Sequence, residues 1–257
     1  MLMKALEVCR CLTYDQFARI VISLKIHYKP VYDILKPYRL RRDIALIKGP
    51  DDCWLLVPKL GSMYYSLIGE KRSFKLFKEL IKPSMTFLDV GAGVGSYSIP
   101  AAKRGLRVTA IEPDPISFRL LLQNAKLNDV ELELRNVAAY DQKCKLAINP
   151  YVPLKGFKKI QKIVVEAIPL DEMGITADIV KIDVDGAEIN VLKGGLKTLR
   201  KAKWVFIELR PSTLKEAVRI FKGLNKHGTF IEHLHTSGLS LLIRPRVKPS
   251  DFMLLFS

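Results

Sequence analysis

One stretch of the chain, Met85 to Pro113, constrains the fold more than any other. It begins with a short apolar run, dense enough to form a strand that is buried on both faces. Three glycines at alternate positions follow, and a helical segment then runs to Gly105, a typical helix stop. A second apolar strand ends at the acidic residue Glu112. This order predicts the first half of a nucleotide-binding βαβ unit, with Ser96 or Ser98 capping the helix.

The glycines and the acid have physical reasons for their positions. Gly91, Gly93 and Gly95 allow positive φ and let the backbone approach a ligand that a Cβ would push away. Glu112 follows Gly91 at roughly the 20-residue separation expected of an acid that accepts the two hydroxyls of a ribose. We therefore expect the turn and the acid to hold a nucleoside together.

The spacing of the glycines indicates which nucleoside is bound. A dinucleotide site normally has the spacing G-x-G-x-x-G, whereas here Asp89 precedes three glycines in the pattern D-x-G-x-G-x-G. This pattern resembles motif I of the class I S-adenosylmethionine-dependent methyltransferases. The cofactor's amino-acid tail carries an ammonium and no phosphate, so an acid beside the turn suits it and would repel a pyrophosphate. The resemblance implies S-adenosylmethionine as cofactor, with Asp89 supporting the turn.

Length and charge set further bounds. A chain of 257 residues fits one α/β domain with an N-terminal extension, and we place these at residues 79–257 and 1–78. The net charge of +16 predicts attraction to polyanions, but it is spread along the chain without an arginine-rich arm. No run of about 20 uncharged apolar residues occurs, so we expect a cytoplasmic protein without a transmembrane segment. No His–Cys cluster has zinc spacing, so no metal ligands are assigned.

The extension contains two kinds of element. Residues 1–38 have the amphipathic spacing of helices, which would pack on the catalytic domain or rest on a membrane surface. In either position they could help to form a lid over the acceptor. Two short apolar runs, Ile44 to Lys48 and Trp54 to Pro58, flank a Gly-Pro-Asp-Asp turn and predict a β-hairpin.

Beyond Pro113, apolar strands alternate with helices. The pattern predicts an α/β fold with a Rossmann-like, mostly parallel seven-stranded sheet and helices on both faces. Ligands of such sheets bind at the carboxyl ends of the strands, and six acids fall there. They are Asp89, Glu112, Asp183, Asp185, Glu188 and Glu208. Helices are expected over 116–127, 188–199 and 212–226, and strands or extended segments over 130–135, 143–148, 163–167, 178–184, 204–209, 230–235 and 239–243.

One later segment identifies a family. Ile179 to Gly195, IVKIDVDGAEINVLKGG, closely resembles the signature of the FkbM-like methyltransferases, K-I-D-V-E-G-A-E followed by V-L-K-G. The segments FLDVGAGVGSYSI, IEPDP and IELRP agree with it in order, so that the resemblance covers about residues 80–245. Asp185 stands where the family usually has Glu, which shortens the side chain by one methylene. The resemblance implies methylation of a hydroxyl on a small molecule, a sugar or a lipid-linked glycan.

The resemblance also implies roles by position. The three glycines would line the amino-acid end of the cofactor, and Glu112 would take the ribose. The segment from Asn136 through Val137 to Asp141 would flank the adenine, because its small residues leave a slot for a flat ring. An ordinary strand-to-turn transition is the alternative interpretation of that segment. Asp183 would face the acceptor.

Methyl transfer to an aliphatic hydroxyl needs a base late in the transition state. Asp183 is the first candidate and Asp185 the second, while Lys181 is expected to face away from both. His233 and His235 are alternative bases. A Mg²⁺ site built from Asp183, Asp185 and Glu208 competes with these bases, since hard cations prefer oxygen ligands, but we do not adopt it.

Two other functions compete with the methylation of a hydroxyl. An RNA methyltransferase is favoured by charge but disfavoured because no N-P-P-Y or D-P-P-Y tetrapeptide follows the fourth strand. A non-catalytic cofactor-binding or partner-binding protein is disfavoured by the intact glycine turn and the acidic cluster. Neither the acceptor nor the oligomeric state follows from the sequence.

Overall fold

The computed structural model describes residues 44–58, 71–150, 162–234 and 238–245. Twelve strands occur in this part of the chain: β1 Ile44–Lys48, β2 Trp54–Pro58, β3 Thr86–Val90, β4 Arg107–Ile111, β5 Glu133–Arg135, β6 Ala138–Tyr140, β7 Cys144–Ile148, β8 Ile163–Pro169, β9 Ile179–Ile182, β10 Trp204–Leu209, β11 Lys226–Leu234 and β12 Gly238–Pro245. The α-helices are α1 Lys71–Leu80, α2 Ser98–Lys103, α3 Pro115–Leu127, α4 Glu188–Gly194, α5 Leu196–Lys201 and α6 Leu214–Gly223.

The central sheet has seven strands, as the sequence predicts. Their order is β11-β12-β10-β9-β3-β4-β5. Five neighbouring strands pair in parallel, in the order β10, β9, β3, β4 and β5. Strand β12 pairs antiparallel with both β10 and β11. The carboxyl ends of β3, β4, β9 and β10 therefore share one edge of the sheet, which we call the carboxyl edge.

Helices cover both faces of this sheet. Side chains alternate along a strand, so Leu88 and Val90 of β3 enter one core cluster with residues of α4, α5 and α6. Phe87, which precedes them, enters a second cluster with residues of α1 and α2. A third cluster joins α3 to the β1–β2 hairpin. The predicted Rossmann-like α/β architecture is confirmed.

The predicted hairpin forms with the expected bounds and packs against the glycine turn. Strands β1 and β2 pair antiparallel, and Leu55 and Val57 are buried in one cluster with Val94 and Ile99. The turn of the hairpin is tied down by Asp51, whose carboxylate accepts hydrogen bonds from Lys78 and Arg104. The hairpin therefore shares a core with the glycine turn and α3, while the division at residue 78 stays a prediction.

Several element boundaries differ from the predictions. The single helix expected over 188–199 is two helices, α4 and α5, separated at Gly195. The helix expected over 212–226 ends at Gly223, and Lys226 instead begins β11. The strand expected over 130–135 is confined to its last three residues.

A second, three-stranded sheet was only partly predicted. Its order is β6-β8-β7, with β6 parallel to β8 and β7 antiparallel to it. Extended segments were expected at β7 and β8, whereas β6 was not recognised as a strand. The sheet places the end of β6 against α4, because a Cβ on Gly194 would overlap the carbonyl oxygen of Tyr140.

Some predictions fall outside the described residues. They are the amphipathic helices over residues 1–38 and the histidine at 235. Among the helices that are described, none is long and apolar enough to cross a membrane.

Candidate active site

The glycine turn lies at the carboxyl edge between β3 and α2. Gly91, Gly93 and Gly95 all have positive φ, of 80°, 57° and 93°, as the sequence predicts for a turn that requires glycine. A Cβ on Gly91 would overlap the carbonyl oxygen of Asp183. The turn is therefore packed against the end of β9.

Glu112 follows β4 and binds the same turn. Its Oε2 accepts a hydrogen bond from the Gly93 N–H at 2.7 Å, and its Oε1 accepts one from the Asp114 N–H at 2.9 Å. The side chain is buried, and this burial raises the pKa of the Glu112 carboxyl to about 8 against the opposing effect of the two N–H donors. Each carboxylate oxygen has a second lone pair, so Glu112 can still accept ribose hydroxyls.

Asp89 lies in β3 and binds the first residue of α2, just beyond the glycine turn. Its Oδ2 accepts a hydrogen bond of 2.6 Å from the Ser98 hydroxyl. The predicted capping role of Ser96 or Ser98 is therefore wrong, since Tyr97 stands at the N-cap and Ser98 is the first helical residue. Burial raises the pKa of the Asp89 carboxyl, and the nearby Lys181 ammonium opposes this. The second oxygen, Oδ1, is buried without a hydrogen-bond partner.

The segment expected near the adenine divides into two parts. Asn136 is exposed and donates to the carbonyl oxygens of Glu112 and Pro113, so it lies beside Glu112. Val137 is buried in the adjoining core. Asp141 lies against α4, where its Oδ2 accepts a hydrogen bond of 2.8 Å from Asn190. Its Oδ1 is buried without a partner, as in Asp89.

Asp183 follows β9 and forms an ion pair that contradicts the expectation from the sequence. The Lys181 ammonium lies 2.8 Å from Asp183 Oδ2, so the prediction that Lys181 faces away is wrong. Residues two apart in an extended strand share a face, and that period of two could have identified the pair. The Lys181 side chain is buried and also lies 4.8 Å from the centre of the Tyr97 ring. Asp183 itself is partly exposed, with 29% of its side chain accessible.

The loop after Asp183 has an unusual backbone. Asp185 has a φ of 51°, and Gly186 has a φ of 109°. Asp adopts the left-handed region more readily than Glu, so its short side chain suits this position of the family signature. The Asp185 carbonyl accepts a hydrogen bond from Arg210. Asp185 is exposed, so it is less enclosed than Asp183 as a candidate base.

Glu188 closes the same loop from the first turn of α4. Its Oε1 accepts a hydrogen bond of 2.6 Å from the Gly186 N–H, and its Oε2 is buried without a partner. Burial raises the pKa of the Glu188 carboxyl. The side chain is only 3% accessible, which makes it a support of the loop rather than a group that reaches the acceptor.

Within the described residues, the geometry supports no Mg²⁺ site, and the candidate base His233 lies on an outer strand. Among the described residues, no three Asp, Glu, His or Cys side chains are grouped so that they could hold a metal ion, and the Mg²⁺ site considered at Asp183, Asp185 and Glu208 is not assembled. His233 lies in β11, where its backbone pairs with Leu239 of β12. That pair is at the outer side of the sheet, because β11 is two strands beyond β10.

The carboxyl edge fits S-adenosylmethionine. The glycine turn lies at the ends of β3 and β9, and the unpartnered Oδ1 of Asp89 is a buried acceptor close to it. Glu112 and Asn136 adjoin at the end of β4, where Asn136 donates a hydrogen bond to the Glu112 carbonyl. Asp141 Oδ1 is a second unpartnered acceptor, of the kind that an adenine amine requires. A cationic, phosphate-free nucleoside satisfies these groups, whereas a pyrophosphate would be repelled by Asp89.

Comparison with known proteins agrees with this geometry. The family described as "Methyltransferase FkbM domain" matches residues 89–234, more than half of the chain. The tRNA (guanine(37)-N(1))-methyltransferase of Danio rerio is 53% identical over 49 residues, which are 19% of this chain and 10% of that protein. The chain thus spans about a tenth of the length of this relative.

Two solved structures show the same fold. The tRNA m1G37 methyltransferase of M. jannaschii superimposes with a TM-score of 0.52, at 16% identity, over 80% of this chain and 58% of that one. The tRNA (uracil-54, C5)-methyltransferase of Pyrococcus abyssi, solved in complex with S-adenosyl-L-homocysteine, does so with a TM-score of 0.50, at 17% identity, over 79% and 44%. The chain therefore has the fold of the S-adenosylmethionine-dependent methyltransferases and belongs to the family that carries the FkbM domain.

Proposed function

We propose that the protein transfers a methyl group from S-adenosylmethionine to a hydroxyl group of a small molecule, a sugar or a lipid-linked glycan. The observation that carries the proposal is the contact between the glycine turn and the end of β9. Gly91 packs on the main chain of Asp183, so a cofactor held by the turn has a partly exposed carboxylate beside it. An acceptor bound at that carboxylate would lie close to the methyl donor.

The proposed cofactor contacts follow from the positions of these residues at the carboxyl edge of the sheet. The glycine turn and Asp89 would hold the amino-acid end, Glu112 the ribose, and the segment formed by Asn136, Val137 and Asp141 the adenine. When bound, the cofactor supplies a methyl group on a sulfonium that already leaves readily. The protein's own contribution is then to position the acceptor and to remove its proton.

Asp183 is the proposed proton acceptor. Lys181 occupies one of its oxygens at 2.8 Å, which fixes the carboxylate and leaves the other oxygen for the acceptor hydroxyl. An alcohol is a very weak acid, so its proton would pass to Asp183 only as the new carbon–oxygen bond forms. Asp185 is the second proposed base, and its exposed position predicts a smaller contribution.

The charge of the edge favours a neutral acceptor. Six acids lie at or just after the carboxyl ends of four neighbouring strands, with Lys181 and Arg210 among them. Glu112 adds no charge at neutral pH, because burial raises its pKa to about 8. Such an edge offsets the cationic sulfonium but repels a phosphate backbone that would have to approach it. A hydroxyl on an uncharged molecule therefore suits the edge better than a polyanion.

Transfer of radiolabelled methyl from S-adenosylmethionine into a fractionated extract of the source cells tests the proposal. Small-molecule, glycan, lipid and RNA fractions are compared with and without nuclease, and Asp183→Asn protein serves as the control. The proposal predicts label in a nuclease-resistant fraction that depends on Asp183. Absence of label from every fraction, with no binding of the cofactor by calorimetry, would leave a non-catalytic protein instead.

An RNA acceptor is the second candidate. The net charge of +16 and the short match to a tRNA methyltransferase of Danio rerio favour it. In that case the label would be lost on RNase treatment. Its incorporation would also fall steeply with salt, because phosphate contacts release counterions.

A further inference from the structure

A buried asparagine on α3 links the hairpin to the glycine turn. Asn124 is fully inaccessible, and its Oδ1 accepts a hydrogen bond of 2.7 Å from the Leu56 N–H of β2. Its Nδ2 donates to the Leu56 carbonyl at 3.1 Å and to the Val94 carbonyl, within the glycine turn, at 2.8 Å. The Asn124 side chain therefore satisfies both backbone groups of Leu56 in the hairpin and the carbonyl of Val94 in the glycine turn.

The C-cap residue of α3, Asn128, makes a similar set of hydrogen bonds. Asn128 lies four residues on, on the same helical face, and its Oδ1 accepts a hydrogen bond from the Trp54 N–H. Its Nδ2 donates to the Trp54 carbonyl and to the Asn124 carbonyl, both at 2.7 Å. The two asparagines thus make the same kinds of bond to β2. They differ in the third contact, which reaches the glycine turn only from Asn124.

The amide of Asn124 can be oriented in one way only. Two carbonyl oxygens face its nitrogen and one N–H faces its oxygen, so a carboxylate of the same shape would meet two carbonyls without a proton to donate. The surroundings are also tightly packed, since Leu56 and Val94 belong to one buried cluster. A shift of Leu56 should therefore displace Val94, and a shift of Val94 should displace Leu56.

We propose that Asn124 is a positioning residue that couples the β1–β2 hairpin to the cofactor-binding turn. Cofactor binding and docking of the hairpin then favour each other. The conformation of the glycine turn that binds the cofactor would also be the one in which the Val94 carbonyl meets Asn124, and Asn124 in turn holds the hairpin. The proposal rests on the proposed function in one respect, since it requires that the glycine turn binds S-adenosylmethionine.

A pair of isosteric variants tests the coupling. Asn124→Asp and Asn128→Asp each lose two donated hydrogen bonds, and the affinity for S-adenosylhomocysteine is measured by calorimetry below the melting temperature of both. We expect the Kd to rise about tenfold or more in Asn124→Asp and less than about threefold in Asn128→Asp. Equal changes in the two variants, or no change in either, would overturn the coupling.

Hydrogen exchange of the wild-type protein tests the same idea without a variant, should Asn124→Asp fail to fold. Adding S-adenosylhomocysteine should slow exchange of the Leu56 amide, which donates to Asn124, as well as exchange at residues 91–95. Slower exchange at 91–95 with unchanged exchange at Leu56 would refute the coupling and leave the proposed function intact. No binding by the wild-type protein would instead refute the proposed function on which the coupling rests.

Discussion

The acid before strand β9 and two acids at the carboxyl edge of the sheet have carboxyl pKa values shifted in opposite directions. Asp178, just before the strand, accepts hydrogen bonds from the Thr86 N–H and hydroxyl and pairs with Lys203 at 2.9 Å. These partners lower the pKa of its carboxyl to about 2. At the other end, the carboxyl edge contains Asp89 and Glu112, whose pKa values are raised by burial.

The comparison shows how one fold separates stability from function. Asp178 has its acceptor capacity filled by the protein, so it fastens β9 to β3 and has little left for a ligand. Asp89 and Glu188 each keep one buried oxygen without a partner, which costs stability. Such a cost persists where a ligand can offset it, and in this protein it is concentrated at the carboxyl edge.

The largest expected effect comes from exchanging the acid at each end of β9. Asp183→Asn should lower turnover by about 10²–10⁴-fold, because the acceptor's proton has no base to receive it. Cofactor affinity should stay within a few-fold. Asp178→Asn, roughly 16 Å away along the strand, should keep turnover near that of the wild type. Steady-state kinetics with matched calorimetry separates the two, and full turnover by Asp183→Asn would remove it as the base.

A second contrast concerns two glycines with positive φ. Gly91→Ala should lower the free energy of unfolding by more than about 2 kcal/mol and abolish cofactor binding, since its Cβ overlaps the Asp183 carbonyl. Gly174 has a φ of 69° but nothing within 4 Å of an added Cβ, so Gly174→Ala should cost only about 1 kcal/mol. Urea unfolding measures both, and equal losses would mean that the turn is not packed against β9 as described.

The raised pKa of Glu112 predicts a particular pH dependence. The folded protein holds this proton up to about pH 8, whereas the unfolded chain releases it near the ordinary value of 4.5. The contribution of Glu112 to stability is therefore full below pH 4.5 and is lost as the pH rises to about 8, by at most about 1.4 kcal/mol per pH unit. Glu112→Gln should flatten this slope in unfolding experiments between pH 5 and 8. An unchanged slope would show that Glu112 is ionised in the folded protein.

Asp178 should show the opposite and smaller dependence. Its pKa is lowered from 3.8 to about 2, so its contribution is present above pH 3.8 and is lost as the pH falls towards 2. The side chain is 28% accessible, and screening reduces the effect. Acid unfolding of Asp178→Asn should therefore begin from a lower stability but decline less steeply than that of the wild type. Parallel acid-unfolding curves would contradict the ion-pair assignment.

The sequence predicted those parts of the molecule that follow from local pattern. The apolar runs, the glycine turn and the acid after β4 all arise within one βαβ unit, and parallel pairing then brings the other strand-end acids to the same edge. The hairpin at residues 44–58 was predicted with its observed bounds, because the Gly-Pro-Asp-Asp turn is itself local.

Most of the errors concern residues whose roles are set by contacts with residues far away along the chain. Ser98 resembles a cap, but tertiary packing brings Asp89 within 2.6 Å and uses the hydroxyl there instead. Asn124 looked like an ordinary helical residue, since its partners in β2 and the glycine turn lie 68 and 30 residues away along the chain. The error on Lys181 could have been avoided from the sequence, because residues two apart in a strand, such as Lys181 and Asp183, point to the same face.

The bond formed by the transferred methyl group tests the central claim most directly. Wild-type and Asp183→Asn proteins are incubated with ¹³C-methyl S-adenosylmethionine and cell extract, and the labelled products are analysed by NMR. We predict signals of methyl carbons bonded to oxygen, in nuclease-resistant glycan, lipid or small-molecule fractions, that are missing with Asp183→Asn. Methyl carbons bonded to nitrogen in nuclease-sensitive material, formed equally by both proteins, would contradict the proposed acceptor and the proposed base together.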